Sequence, residues 1–246
     1  MIRPHLTAQE IREDVQAARG RGQADLVLKN CRLINVYSRE IHGADLAIRR
    51  GRIVAIRENF AGPAARTLDA DGSFVAPALV DSVFSGGKTP ATPGSRRGTG
   101  TLLIAGDFSG KTLRDHDIAC SFEETKHCIR HGKTAFLDER TGPDKLTMLL
   151  AEIRRAEIDF SNICFALSPE SRIVEDSHPI SLALASGFSI PEAFQIGALN
   201  PATHFCLDDV IGSLAPGRLA NLILFDDLKL FRPARLILNG HEVTQP

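Results

Sequence analysis

β-type sequence stands at both ends of this chain and brackets a middle of different texture, so the two ends must either pair with each other or fold apart. From Ala24, ADLVLKNCRLINV (24–36) alternates around an Asn, and ADLAIRRGRIVAI (44–56) reads as a hairpin turning at Arg50-Gly51. SFVAPALVD (73–81) is a third apolar run. β-Branched enrichment and Gly or Asn turns mark these as strands. IGSLAPGRLANLILFDD (211–227) and ARLILNGHEV (234–243) repeat the texture at the far end, with an Asn239-Gly240 turn. Gly51 is expected at positive φ, and Ala215-Pro216-Gly217 at a turn. Asp25, Asp45 and Asn221 each precede an apolar run and are expected to cap strand ends.

In the middle, TLLIAGD (101–107), TAFLDE (134–139) and NICFALS (162–168) are strand candidates separated by helical patterns. Ser121-Phe-Glu-Glu124 forms a capping box before a helix that Gly132 stops. PDKLTMLLAEIRRAE (143–157) has apolar residues at helical spacing. Ser189-Ile-Pro-Glu192 opens a helix through Leu199, and Asn200-Pro201 starts a short one. Strand–helix alternation predicts parallel βα units. The stretch 85–100 is rich in Gly, Pro, Ser and Thr and is expected to be a flexible loop.

Composition excludes several function classes. Lys plus Arg (29) balance Asp plus Glu (30), so nothing suggests the basic footprint of a nucleic-acid binder. A hydrophobic share of 43% is ordinary for a folded protein, and no apolar run reaches membrane-span length. The polar start, with no secretory apolar core, and five scattered cysteines lacking any CxxC lead to an expectation of a cytoplasmic, disulfide-free protein.

The segments ADLVLKNCRLINV…ARTLDADGSFVAPALVD and ALNPATHFCLDDVIGSLAPGRLANLILFDDL…ARLILNG resemble the opening and closing segments of amidohydrolase-superfamily enzymes. Phe108-Ser-Gly-Lys111, Cys120-Ser-Phe-Glu-Glu124 and His204-Phe-Cys-Leu-Asp-Asp209 narrow the resemblance to the adenine deaminases. The resemblance implies an α/β fold in which the two ends form a composite β-sandwich beside a (β/α) barrel related to the TIM barrel. Residues 1–23 would be a helical lead-in, 24–77 plus 212–246 the sandwich, and 78–211 the barrel portion. That portion has 134 residues, against about 250 for a complete barrel. A truncated half-barrel is therefore expected, with open strand edges for a second copy or a partner subunit to cover.

By the same resemblance, catalysis would be hydrolytic deamination of a purine base or hydrolysis of a cyclic amide, with Zn, Fe or Mn activating water. The family's first ligand pair, a His-x-His, should follow Pro77-Ala-Leu-Val-Asp81, but Ser82-Val83-Phe84 stands there. Ile104 occupies the next histidine's place, and Ser168 that of the last Asp. His116-Asp117 corresponds most nearly to a further ligand segment. Phe and Ile carry no donor atom, so no metal site of the family type is expected.

Three functional expectations follow. The first is a degenerate homologue acting as a binding or partner subunit, able to hold a purine-like small molecule. The second is an active hydrolase with a catalytic site rebuilt from His116, Asp117, Asp138, Glu139 or His178, or completed by another chain. The third is a phosphate or nucleotide site on residues 105–112, where Gly110, Lys111 and Thr112 end a relaxed P-loop pattern. His127 and His131, at i and i+4, could share a metal, but no Glu stands between them in the protease pattern, and a His near a helix C-terminus is favourable with the dipole without any metal. Cys164, between Ile163 and Phe165, reads as core.

Overall fold

The computed structural model describes residues 6–81, 101–102, 118–119, 121–138, 141–166, 178–228 and 233–243. A helix α1 (Ala8–Ala18) opens the chain, capped by Thr7 in a reciprocal box with Glu10. Then come β1 (Ala24–Asn35), β2 (Glu40–Arg49), β3 (Arg52–Arg57), β4 (Ala64–Asp69) and β5 (Phe74–Pro77). The closing segment supplies β11 (Leu222–Phe225), β12 (Pro233–Leu238) and β13 (His241–Val243). Both ends enter one eight-stranded sheet, ordered β13-β12-β11-β5-β1-β2-β3, with β4 on β1.

β1 is the hinge of that sheet. Its first half pairs in parallel with β4 and its second half with β5, and the register against β2 slips between Leu28 and Cys31. At the bulge Asn30 takes φ 55°, and its N–H donates to Asp45 Oδ1 at 2.9 Å. Asp45 is 5% exposed and also accepts from Lys29 Nζ and the Phe60 N–H, each at 2.8 Å. Burial pushes its carboxyl up, but these bonds outweigh that and hold it below the usual range.

Two hairpin turns weld the ends together. Arg50-Gly51 has φ 49° and 72°, and Asn239-Gly240 has 49° and 77°, the pattern of type I′ turns. They pack so closely that a Cβ on Gly51 would sit 2.7 Å from the Asn239 carbonyl oxygen. Asn221 Oδ1 accepts from the Asn239 N–H at 2.8 Å, and Asp25 accepts from the Arg50 N–H at 2.6 Å. A core of Leu26, Leu28, Leu33, Leu46, Leu222, Leu224 and Ile237 is built from both ends.

The middle is parallel, as its alternation predicts. β8 (Ile118–Ala119), β9 (Ala135–Asp138) and β10 (Ile163–Ala166) form a parallel sheet in the order β10-β9-β8. α2 (Phe122–Arg130) and α3 (Pro143–Arg155) connect them. SFVAPALVD divides: β5 joins the large sheet, while β6 (Val80–Asp81) pairs in parallel with β7 (Thr101–Leu102). Among the described residues these parallel strands form open sheets rather than a closed barrel.

α4 (Pro179–Ala185), α5 (Ile190–Phe194) and α6 (Asn200–His204) complete the layer. The expected break at Asn200-Pro201 is instead a π-turn over Gln195–Leu199 that joins α5 to α6. Proline has no N–H and its ring crowds the carbonyl four residues back; widening the preceding turn, with the Asn200 N–H donating to the Gln195 carbonyl, relieves this. The main core spans both sheets, with Ile34, Ala76, Ile223 and Phe225 meeting Leu137, Phe165, Ile180 and Phe194.

Candidate functional site

In a parallel βα layer, side chains at the strand C-terminal ends face the ligand side. Asp138 closes β9, opposite Ala166 at the end of β10, and is 7% exposed. Its backbone carbonyl accepts from Thr141 Oγ1 at 2.8 Å, which turns the chain toward α3.

His178 is the second described candidate. It caps α4, with Nδ1 accepting the Ile180 N–H at 3.2 Å, and is 2% exposed. Burial alone pushes its pKa down to about 3, so the ring is neutral at physiological pH. Because Nδ1 is the acceptor, the proton sits on Nε2, which has no hydrogen-bond partner among the described residues. A buried, neutral N–H donor suits a carbonyl or ring nitrogen of a bound small molecule. It does not suit a metal, since either nitrogen would first have to give up the hydrogen bond or the proton it now carries.

The other candidates divide by position. His116, Asp117, Glu139, Gly110, Lys111 and Thr112 lie outside the described residues, as do Phe84, Ile104, Ser168 and the stretch 85–100. Of these candidates the structure positions Asp138, at the end of β9, and His178, at the start of α4. Among the described residues no group of three or more His, Cys, Asp or Glu could hold a metal. Cys164 is fully buried in β10, and burial raises its thiol well above the ordinary range, in keeping with a core role.

Sequence reasoning missed the polar network behind β10. Asn200 is 5% exposed; its Nδ2 donates to the Phe160 and Ile163 carbonyls, both at 2.7 Å, and its Oδ1 accepts from Gln195 Nε2 at 3.4 Å. Gln195 Oε1 in turn accepts from Arg39 Nε at 3.0 Å. Arg39 lies in the turn between β1 and β2 and stacks 4.5 Å from the Phe160 ring. This chain of contacts ties the large sheet to the start of β10, across 156 positions between Arg39 and Gln195. The only sequence signal was a polar pair, Gln195 and Asn200, inside an apolar helical stretch.

Comparison with known proteins places this arrangement. The amidohydrolase family pattern matches residues 157–243. The adenine deaminase of Desulforamulus reducens is 21% identical over 350 aligned positions, covering 95% of this chain and 60% of that protein. In sequence the chain is similar to the adenine deaminases of the amidohydrolase superfamily. The adenine deaminase of Listeria monocytogenes serotype 4b is 44% identical over 86 residues, or 34% of this chain and 14% of that enzyme. Among solved structures, the β-aspartyl dipeptidase of Fervidobacterium islandicum AW-1 superposes with TM-score 0.62 at 15% identity, covering 89% of this chain and 96% of that one. That likeness concerns the fold. The chain spans 60% or less of the curated adenine deaminases named here. An alignment of 350 positions against a chain of 246 residues leaves at least a hundred positions without a counterpart in it.

Proposed function

We propose that this amidohydrolase homologue is a pseudoenzyme: a binding or partner subunit that holds a purine-like base without the family's metal-dependent deamination. One observation carries the reading. Where the resemblance calls for imidazole ligands the chain has Phe84 and Ile104, whose side chains contain only carbon and hydrogen, and Ser168 replaces the last carboxylate. The family's divalent metal does not fit this donor set, so no chemical step is routed through one.

The described candidates support binding. His178 offers a desolvated N–H, and Asp138 is a buried carboxylic acid at a strand C-terminal end; each is of a type that can hydrogen-bond a heterocycle. The eight-stranded sheet bent about β1 supports the composite-sandwich reading, and the shortened middle supports coverage of its open edges by a second copy or a partner subunit. Among the described residues no helix is long and apolar enough to cross a membrane. Cytoplasmic placement belongs to this proposal and draws support from the four described cysteines, all free thiols.

Ammonia release from adenine, followed with Zn, Mn and Fe each supplied in turn, tests the proposal. The expected result is no turnover above the buffer blank, together with saturable adenine binding that weakens in His178→Leu. Turnover with any of these metals would instead establish a rebuilt or partner-completed site. Light scattering tests the subunit arrangement, where a stable monomer contradicts the covered edge.

A further inference from the structure

We propose that His127 and His131 form a two-imidazole site for one divalent transition-metal ion on the outer surface of α2, separate from the strand-end candidates. α2 turns Thr125 and Cys128 into the core, while His127 and His131 are both exposed. Their i, i+4 spacing stacks them on one face, with ring centroids 4.2 Å apart and planes tilted by 38°.

The decisive detail is a hydrogen bond. His131 Nδ1 lies 2.8 Å from the His127 backbone carbonyl oxygen. A carbonyl oxygen only accepts, so in the neutral ring Nδ1 carries the proton and Nε2 keeps its lone pair. This is how metal-ligating histidines are held: one ring nitrogen donates to a carbonyl, and the other is left oriented and basic. The arrangement also places His131 as the cap at the end of α2, so its ring position is tied to the last helical turn.

The ligand class follows from the donors. Two neutral imidazoles suit Cu(II), Ni(II), Co(II) and Zn(II), while Mg(II) and Ca(II) prefer oxygen. Water would complete the coordination, because among the described residues no third His, Cys, Asp or Glu joins the pair. Arg130 and Lys133 are exposed cations beside the pair, and Lys126 is engaged with Glu123 at 2.7 Å. Nearby positive charge limits the affinity, which makes the site one for exchangeable metal rather than a permanent structural centre. When occupied, it would clamp the last turn of α2 and so stabilise the β8-α2-β9 unit.

The test is calorimetric titration of the untagged full-length chain with Zn(II) and Ni(II), and with Mg(II) as the control. One Zn(II) or Ni(II) per chain is expected, with no Mg(II) signal. His127→Gln and His131→Gln should each weaken binding by about tenfold or more. Zn(II) at a hundredfold excess over its Kd should raise the wild-type Tm by about 5–10 °C, and that rise should vanish in both variants. Because both side chains are exposed, the variants should retain the wild-type circular dichroism spectrum. His241→Gln, at an exposed histidine elsewhere, should leave binding unchanged. Saturable binding that survives both α2 substitutions, or none up to millimolar metal, overturns the proposal.

Discussion

His178 should make this protein lose stability from about pH 6.5 downward, starting above the range in which the depressed carboxylates begin to titrate. Folded, the ring takes a proton only near pH 3, whereas in the unfolded chain it does so near 6.5. Between those values the unfolded state binds more protons, so stability falls as pH is lowered; above about 6.5 the group contributes no slope. One proton corresponds to about 1.4 kcal/mol per pH unit, so at pH 5 the loss from this residue is about 2 kcal/mol. That is a large share of the roughly 5–15 kcal/mol by which a domain is stable. His178→Asn removes the titration but keeps a side-chain oxygen that can cap α4. The smaller side chain adds its own constant cost, so the measurement is the pH slope rather than the absolute stability. Urea midpoints at pH 7.5, 6.5, 5.5 and 5.0 should fall more steeply for wild type by about that 1.4 kcal/mol per unit once converted through a shared m-value. Carboxylates whose pKa is depressed, such as Asp45, Asp159 and Glu192, are present in both proteins and cancel. Parallel pH profiles for the two proteins would refute a neutral, desolvated His178.

The remaining predictions concern the framework. Asn200→Ala strips the donor from two buried carbonyls, those of Phe160 and Ile163, and should cost about 2–4 kcal/mol in urea unfolding; a loss below about 1 kcal/mol contradicts the network. Gly51→Ala places a Cβ 2.7 Å from the Asn239 carbonyl oxygen at φ 72°, so the two hairpins must separate and the Tm should fall by several degrees. Asp45→Asn replaces a carboxylate that accepts from Lys29, Asn30 and Phe60 and should destabilise by about 2–4 kcal/mol at pH 7. Because the folded pKa of Asp45 is lowered, its contribution is full above the ordinary carboxylate range and is lost as pH falls through it, which acid titration of both proteins would reveal.

Elements with strong local signals were legible. The two I′ turns, the helix at Pro143–Arg155 and the strands at Ala135–Asp138 and Ile163–Ala166 follow from turn chemistry and hydrophobic period alone. The Ser189–Glu192 box forms, with the Glu192 carboxylate accepting from the Ser189 N–H at 2.7 Å. The π-turn was not legible, because Pro201 ordinarily signals a new helix and only packing on both sides keeps the two segments continuous. Nor was the division of SFVAPALVD between two sheets, since an apolar run does not say where its strand changes partners.

At the candidate site the residue types were legible and their states were not. Chemistry written in the side chains themselves, such as the purely hydrocarbon groups of Phe84 and Ile104, is a property of composition at a position. The neutral state of His178 and the ring nitrogen that carries its proton arise from desolvation and one hydrogen bond accepted from the Ile180 N–H, and the desolvation exists only once the core closes around it. The sequence by itself determined that β-rich ends flank a parallel middle and which donors the chain has to offer. Only the tertiary structure decided that those ends share one sheet and that one of those donors is buried with no partner among the described residues. Local propensities act over a few residues, whereas burial and long-range pairing depend on groups as far apart as Arg39 and Gln195.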